Sequence, residues 1–312
     1  MKEDKFNTNE ATLSVDSSEA TQAVKENRFE DALMLFEIIL KDHPDHIDSL
    51  YLASVSSRYL KKFDDSIKYI ERLLHNAPDM GRAYQELGHI NRDAGNEEKA
   101  AINYRQACEL NPALLASWNA LYNYFVQNKN QPAAEHARSQ IEKLQSLPAS
   151  LLYIDQILNE GRLGLAETKC RAFLKKNPTH TYAMSLLSEI ANRLGYFDDA
   201  EFLLEKAVEF KPNDGDLRMQ YASILRKKQK FTKTMEQVNI LCGQYPDNLT
   251  YQAHKASEIM QNGDHEKAIT LFDDILDKNP YNFSTHTSKG HAQKTLGTVS
   301  YTHLTLPTTP YV

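Results

Sequence analysis

The sequence has few of the residues that build tight turns, disulfide frameworks and cysteine-based metal sites. Its 312 residues include only 11 Gly and 11 Pro, which leaves little material for the many turns of an all-β fold. Three cysteines, Cys108, Cys170 and Cys242, are too few and too widely spaced for a disulfide framework or a zinc site, so we expect buried structural thiols. A helical protein is the first expectation.

A basic excess and a long apolar run are also missing. Lys and Arg number 36 against 42 Asp and Glu, which gives a net charge of −6, whereas a dedicated nucleic-acid binder usually carries a basic stripe. No apolar run approaches the ~18 residues that span a bilayer, and MKEDKFNTNE contains no apolar signal-peptide core. We therefore expect a cytoplasmic protein with neither a nucleic-acid nor a membrane partner.

Motifs that would support catalysis or metal binding are scarce. GxxxxGK(S/T), GxSxG and HExxH are absent from the sequence. His43 and His46 have a ligand-like spacing, yet they flank a turn without a fixed carboxylate or cysteine, and His286 and His291 are no better placed. We predict no catalytic, cofactor-binding or metal-binding residue in this chain, and whether the protein is an enzyme stays open.

A repeat is the strongest signal in the sequence. Prolines in similar contexts are separated by 34, 34, 66, 34, 34 and 34 residues, and a period this constant indicates a repeated structural unit. They are Pro44, Pro78, Pro112, Pro178, Pro212, Pro246 and Pro280.

Each repeat also has a fixed pattern of small and large residues. Twelve residues before each proline stands a small residue: Ala32, Ser66, Ala100, Ala166, Ala200, Thr234 or Ala268. Eight residues before it stands a larger apolar one: Phe36, Ile70, Tyr104, Cys170, Leu204, Val238 or Phe272. This spacing predicts an amphipathic helix whose small residue allows close approach of a second helix. Glycines about 17 residues before the prolines, such as Gly95 and Gly195, indicate a turn between the two helices.

These features resemble the tetratricopeptide repeat. In RAYQELGHINRDAGNEEKAAINYRQACELNP the matching residues are Tyr84, Leu87, Gly88, Ala100, Tyr104 and Pro112, and Trp118 matches the opening aromatic residue of the next repeat. The resemblance covers about residues 13–298. It implies an all-α fold, a right-handed α-solenoid superhelix of helix-turn-helix repeats.

The period predicts the organisation of the chain. We expect a polar, disordered tail over residues 1–12, repeat units one to four over 13–148, units five to eight over 149–282, and the first helix of a ninth unit over 283–298. The 66-residue interval is two residues short of two repeats, and Pro148 divides it unevenly. The fourth unit is therefore irregular with a long second helix, the fifth has a shortened first helix, and the superhelical pitch should change there.

The repeat family implies binding of a protein or peptide on a concave face formed by the first helices. Candidate residues on that face are Tyr51, Gln85, His89, Asn119, Asn123, Ser185, Glu189 and Met219. Asn119 and Asn123 could form an amide clamp on a peptide backbone or be ordinary solvated helix residues. Amides and serines on this face disfavour a C-terminal carboxylate ligand, and the acidic balance disfavours RNA. The ligand and the oligomeric state are not predicted.

A closer resemblance concerns five stretches, RAYQELGHINRDAG, ACELNPALLASWNAL, GRLGLAETKCRAFLKKNP, LGYFDDAEFLLEKAVEFKPN and STHTSKGHAQKTLG. They are similar to the N-terminal arrays of bacterial tetratricopeptide-repeat sulfotransferases. In that family a following α/β domain transfers a sulfuryl group from 3′-phosphoadenylyl sulfate to a hydroxyl acceptor, as tyrosylprotein sulfotransferases do. The phosphosulfate-binding loop and the catalytic residues of the family have no counterpart in this sequence. A free-standing adaptor or co-chaperone is the alternative.

The repeat pattern stops after Gly297. A second helix should follow there, but VSYTHLTLPTTPYV supplies β-branched residues and places Pro307 inside the expected helix. This segment resembles the peptide encoded by read-through into a transposon-type sequencing adapter. We expect residues 299–312 to be non-native and the natural chain to have continued past this point.

Overall fold

A computed structural model describes residues 10–297 of the protein, with side chains from residue 17 onward. The fold is an all-α repeat array, and the described part of the chain contains helices and turns but no strand. The helices are α1 (Glu10–Lys25), α2 (Phe29–Asp42), α3 (Ile47–Tyr59), α4 (Phe63–Asn76), α5 (Gly81–Asp93), α6 (Glu97–Leu110), α7 (Leu115–Gln127), α8 (Gln131–Gln145), α9 (Ala149–Asn159), α10 (Leu163–Lys176), α11 (Thr181–Arg193), α12 (Phe197–Phe210), α13 (Gly215–Lys227), α14 (Phe231–Gln244), α15 (Leu249–Gln261), α16 (His265–Lys278) and α17 (Phe283–Thr295).

Consecutive helices form hairpins, each with an odd-numbered first helix and an even-numbered second helix. We number them one to eight, from α1 with α2 to α15 with α16. The predictions for residues 1–9 and 298–312 lie outside the described residues. Residues 10–12, expected in the polar tail, belong to the first turn of α1. Their polarity is compatible with a helix start because the first amide groups of a helix are bonded to water or caps.

The small residues of the second helices lie where the two helices of a hairpin meet. The side chains of Ala32, Ser66, Ala100, Ala166, Ala200, Thr234 and Ala268 are all buried. The larger apolar residues four positions later are buried with them: Phe36, Ile70, Tyr104, Cys170, Leu204, Val238 and Phe272. The two positions are therefore buried along the repeat, as the pattern of small and large residues predicts.

Two buried hydroxyl groups, those of Ser54 and Ser66, are satisfied across the hairpin contact. The Ser54 hydroxyl donates to the backbone oxygen of Ser66 at 2.9 Å, and the Ser66 hydroxyl donates to the backbone oxygen of Ser54 at 2.8 Å. The Cys170 thiol in α10 instead donates to the backbone oxygen of Ala183 in α11, the first helix of the next hairpin, at 3.2 Å. Cys108 and Cys170 are buried and Cys242 is half-buried, and all three are free thiols. Ser66 therefore has its partner directly opposite, whereas the Thr234 hydroxyl donates to the Lys230 carbonyl oxygen at the start of its own helix at 3.1 Å.

The turn inside each hairpin uses one left-handed residue at the same place in the repeat. Glycine fills this place in four of the eight hairpins, at Gly95, Gly161, Gly195 and Gly263, and Gly297 has the same conformation after α17. Four other turns use Asn27, Lys61, Lys129 and Gln229, which also have positive φ. The left-handed residue ends the first helix and redirects the chain. The hairpin thus imposes the conformation even where the sequence offers no glycine.

The structure divides after Ala166 into two compact units. In the first unit, buried residues such as Phe36, Leu50 and Ile70 join hairpins one and two in a common core. In the second, one core includes Leu204 and Leu225, and another surrounds Phe272. The irregular spacing around Pro148 corresponds to a 15-residue α8 and an 11-residue α9. Among the described helices, none is long and apolar enough to cross a membrane.

Gly88 provides a direct test of the close helix approach. A Cβ atom there would lie 2.5 Å from the Tyr104 ring, whereas one on Gly243 in α14 would have no atom within 4 Å. We expect Gly88→Ala to lower the free energy of unfolding by about 1–3 kcal/mol through overpacking. Gly243→Ala should raise it by up to about 1 kcal/mol because alanine favours a helix. Urea unfolding of both variants measures this, and equal effects would contradict the proposed packing.

Candidate functional site

The eight predicted binding residues occupy two places in the repeat. Tyr51, Gln85, Asn119, Ser185 and Met219 are the fifth residues of first helices, and His89, Asn123 and Glu189 are the ninth residues. The fifth and ninth residues of a helix are one turn apart and lie on the same side. We call the surface formed by these two places in successive hairpins the first-helix face. It is considered separately for each compact unit.

In the first compact unit, part of this face is already in contact with other side chains. The Arg82 guanidinium lies 5.0 Å from the centre of the Tyr51 ring, and burial raises the pKa of Tyr51. The Ser117 hydroxyl donates to Gln85 Oε1 at 3.0 Å, which joins α5 and α7. Asn119 is exposed, and its amide donates to the carbonyl oxygen of Leu115 in its own helix. These three fifth-residue places therefore range from half-buried, at Tyr51 and Gln85, to exposed, at Asn119.

His89 is a structural residue of hairpin three. Its Nδ1 atom lies 2.7 Å from the Tyr104 hydroxyl, and the two rings meet edge to face at 5.3 Å. Burial, followed by the charges of Arg58 and Arg92, lowers the pKa of His89 to about 4. The imidazole is therefore neutral at pH 7 and packs between the two helices. Asn123, one hairpin later at the same place, is exposed.

In the second compact unit the predicted residues also differ in accessibility. Ser185 is buried, and its hydroxyl donates to Gln220 Oε1 at 2.6 Å. Glu189 is half-buried and accepts hydrogen bonds from Arg193 and Asn192 on its own helix. Met219 is half-buried. Glu189 and Met219 thus remain available at the surface, whereas Ser185 serves to join α11 to α13.

Polar contacts between neighbouring first helices were not predicted from the sequence. Three pairs separated by 35 residues join the end of one first helix to the next. Arg58 Nη1 donates to Asp93 Oδ2 at 2.9 Å, Lys227 Nζ to Asn192 Oδ1 at 2.7 Å, and Arg226 Nε to Gln261 Oε1 at 2.9 Å. Their constant separation, close to the 34-residue period, is the signal that could have identified them. These pairs fix neighbouring hairpins edge to edge.

Arg58 also forms the most deeply buried ion pair of the first unit's face. Its Nε atom lies 2.6 Å from Glu86 Oε1, and the side chains are only 9% and 2% exposed. Burial raises the pKa of Glu86, and the adjacent Arg58 opposes this shift. The Arg58 guanidinium also lies 4.5 Å from the centre of the Tyr59 ring, which stacks on Phe29. Arg58 thus ties together the first three hairpins.

The turn between α9 and α10 contacts distant hairpins of the same compact unit. Arg82 Nη2 donates to Glu160 Oε2 at 2.8 Å, and Arg82 Nε faces Glu160 Oε1. Arg162 lies 3.8 Å from Asp48 at the start of α3. Asp48 and Arg82 are the second residues of their helices, next to the first-helix face. Single-helix patterns do not predict these contacts because they join residues 78 and more positions apart.

Histidine and acidic residues show no metal-binding arrangement in the described part of the chain. No group of three His, Cys, Asp or Glu side chains is placed to hold a metal ion among residues 10–297. His46 Nδ1 accepts a hydrogen bond from the backbone nitrogen of Ser49 and so caps α3. His286 Nε2 lies 2.9 Å from the carbonyl oxygen of Pro280. These two histidines have local roles at helix starts.

Two depressions occur on the surface of the second compact unit. The larger, about 630 Å³, is an open hollow beside the start of α13 and includes Asp214, Tyr245 and Tyr251. The smaller, about 200 Å³, lies among α10, α11 and α12 and includes Leu187, Tyr196 and Phe202. Neither contains a predicted residue of the first-helix face.

The comparisons with known proteins identify the repeat in two places. The tetratricopeptide repeat family model matches residues 81–114 and 182–214, which correspond to hairpin three and hairpin six with their following turns. These two segments therefore contain tetratricopeptide repeats, as the sequence predicts. The match covers about a fifth of the chain.

Several solved structures are similar to the chain at low identity. One is from the crystal structure of the APC/C hetero-tetramer Cut9-Hcn1, with 15% identity over 92% of this chain and 57% of that chain and a TM-score of 0.41. Another is from Naa15/Naa10 bound to HypK-THB, with 17% identity over 86% of this chain and 42% of that chain and a TM-score of 0.38. TTC0263, a thermophilic TPR protein of Thermus thermophilus, has 14% identity over 69% of this chain and 99% of its own, with a TM-score of 0.39. The chain spans about half the length of the first two.

His89 should make stability depend on pH. Its pKa of about 4 in the folded protein is below the ~6.5 expected for an unfolded chain, so only the unfolded state gains a proton between these values. Stability from this residue is therefore complete above about pH 6.5 and falls as the pH drops towards 4, by about 1–3 kcal/mol. Urea unfolding at pH 7.5 and 4.5 measures this: the difference between the two free energies of unfolding should be smaller in His89→Gln than in the wild type. Tyr104→Phe, which keeps the imidazole, should retain the wild-type effect.

Arg58 should stabilise the folded protein mainly by pairing with the buried Glu86 carboxylate. Arg58→Met leaves Glu86 buried without its cation and should destabilise the protein by about 3–5 kcal/mol. The double variant Arg58→Met/Glu86→Leu should recover most of this loss. Arg28→Met, which breaks the exposed Arg28 pairs, should leave the unfolding midpoint nearly unchanged. A double variant as unstable as Arg58→Met would contradict this account.

Proposed function

We propose that the protein is an interaction scaffold that binds a protein segment, as an extended peptide or a helix, on its first-helix face. The observation that supports this proposal is the series of hairpins in each compact unit, in which the predicted binding residues recur at equivalent positions of successive first helices. Tetratricopeptide repeats generally bind protein or peptide partners in this way. A helical array that repeats equivalent side-chain positions along its first helices suits recognition of another chain.

The surface chemistry supports a peptide ligand over a nucleic acid or a membrane. In the first unit Asn119 and Asn123 are exposed, and side-chain amides can donate to and accept from a peptide backbone. In the second, Met219 adds a flexible apolar side chain beside the Glu189 carboxylate. The chain carries a net charge of −6, which does not favour a polyanionic partner. We place this activity in the cytoplasm.

We further propose that the array belongs to a bacterial sulfotransferase that uses 3′-phosphoadenylyl sulfate, with the array capturing the acceptor or a partner protein. The support is the resemblance of the five stretches described above. A free-standing adaptor or co-chaperone is equally compatible with the contacts of the array. The uninterrupted reading frame beyond codon 298 separates the two: a phosphosulfate-binding loop after a strand supports the sulfotransferase, and an intact frame without one rejects it.

Peptides selected against the full chain from a phage-displayed random library provide the test of binding. Met219→Glu places a charge in the middle of the second unit's first-helix face, so peptides bound there should lose at least about 10-fold in affinity by fluorescence anisotropy, which corresponds to about 1.4 kcal/mol. Ile240→Glu is the matched control, because Ile240 is 41% exposed on α14, the second helix of the same hairpin.

Peptide binding by the two variants shows whether the ligand occupies the first-helix face of the second unit. Retained binding by Ile240→Glu together with loss by Met219→Glu supports the first-helix face. Equal losses, or loss only with Ile240→Glu, would place the ligand elsewhere and contradict the proposal for that unit. Circular dichroism of each variant verifies that the helices are intact before binding is compared.

A further inference from the structure

The turn between α9 and α10 is linked to other hairpins by its charged side chains. α9 ends at Asn159, and the left-handed Gly161 closes it with a hydrogen bond from the Arg162 nitrogen to the Ile157 carbonyl oxygen at 3.1 Å. This helix ending fixes the directions in which Glu160 and Arg162 leave the backbone. We call residues 160–162, Glu-Gly-Arg, the strap.

The strap occupies one edge of the first unit's first-helix face. The Glu160 side chain is only 4% exposed and is held through both carboxylate oxygens by Arg82. Arg82 in turn covers the ring of Tyr51, one of the predicted binding residues. Burial, followed by the charges of Glu86 and Glu160, raises the pKa of the Tyr51 hydroxyl, and the charge of Arg82 opposes this shift. A ligand that contacts Tyr51 or Arg82 must therefore compete with the Glu160 side chain.

Further contacts hold α9 close to this position. Asn111 Nδ2 donates to the Gln156 carbonyl oxygen at 3.2 Å, and Gln156 Nε2 donates to the Ala113 carbonyl oxygen at 3.0 Å. Arg162 and Asp48 are 3.8 Å apart, and each is about half exposed. The Arg162 contact is therefore weak, whereas the Gln156 bonds are direct. The Glu160 and Arg162 side chains can therefore leave Arg82 and Asp48 while the Gln156 bonds and the backbone bonds of the turn remain in place.

Hairpin one contains an equivalent turn with different contacts. Glu26 and Arg28 flank the left-handed Asn27 just as Glu160 and Arg162 flank Gly161. Arg28 pairs with Glu26 itself at 2.7 Å and with Asp31 at 2.8 Å, and these side chains are about half exposed. The same charges in the same kind of turn therefore do not by themselves reach another hairpin. The cross-hairpin contact belongs to the irregular fifth hairpin.

We propose that the strap is an autoinhibitory contact: it closes the Tyr51 and Arg82 part of the first-helix face, and partner binding by the first compact unit requires its release. This inference rests on the proposed function, since it concerns the control of the same face. The occupant is this chain's own Glu-Gly-Arg segment, with the Glu160 carboxylate as its anchor. The second unit's face is outside this control.

The test uses a synthetic probe copied from the strap. Acetyl-Leu-Asn-Glu-Gly-Arg-amide, with the sequence of residues 158–162, is titrated into the full-length protein and binding is followed by NMR line positions. In the wild type the built-in strap competes with the probe. If the strap is closed in more than about nine-tenths of the molecules, Glu160→Ala should increase the apparent affinity at least about 10-fold.

Three controls assign the gain to the proposed site. Glu26→Ala alters the equivalent turn of hairpin one and should leave probe affinity unchanged. Arg82→Gln combined with Glu160→Ala should abolish the gain, and a probe with Gln in place of Glu should bind no better to Glu160→Ala than to the wild type. Glu160→Gln, which keeps the shape of the side chain, replaces Glu160→Ala if that variant does not fold.

The possible results are distinct. A gain that depends on Arg82 and on the probe carboxylate supports the strap. No gain in either Glu160 variant, or a gain that survives Arg82→Gln, would overturn it and leave Glu160 as an ordinary tertiary contact. The comparison of Met219→Glu with Ile240→Glu concerns the other compact unit. A negative probe titration therefore contradicts the strap alone, whereas a negative peptide-binding comparison contradicts the proposed function of the second unit.

Discussion

The close approach of two helices at one small residue is the constraint on which this structure depends. In every hairpin with a described second helix from α2 to α16 except the irregular fourth, an alanine, serine or threonine of the expected position is buried against the first helix. Gly88 shows how tight the contact is, because a single added carbon would meet the Tyr104 ring. Because the two helices of a hairpin are this close, each helix packs one side against its hairpin partner. Its other sides contact the neighbouring hairpins or face solvent.

Contacts within a hairpin and between neighbouring hairpins then use part of the surface predicted to bind a ligand. Ser185 is buried by its bond to Gln220, and His89 is neutral and packed against Tyr104. A repeat protein must bury a continuous core between neighbouring hairpins. Some residues at the predicted binding positions therefore pack against other helices. The predicted binding residues that remain accessible to a ligand are Asn119, Asn123, Glu189 and Met219.

The shortened spacing around Pro148 is accompanied by different contacts between hairpins as well as by a less regular repeat. A regular repeat brings each hairpin against the next one, as the 35-residue pairs show. The fifth hairpin instead sends Glu160 to Arg82 and Arg162 towards Asp48, which belong to hairpins three and two. Loss of two residues is thus accompanied by a contact between non-adjacent hairpins, and that contact covers the predicted binding residue Tyr51.

The sequence by itself determined the helical repeat, the helix pairs and the buried residues at each hairpin contact, because these depend on short-range spacing within 34 residues. It also indicated which places in the first helices share one face. Only the tertiary structure decided which of those places are open, since Ser185, His89 and Tyr51 are covered by Gln220, Tyr104 and Arg82 respectively. The Arg82 and Glu160 pair joins residues 78 positions apart, and such a pairing depends on how hairpins are arranged in space, which no local periodicity encodes.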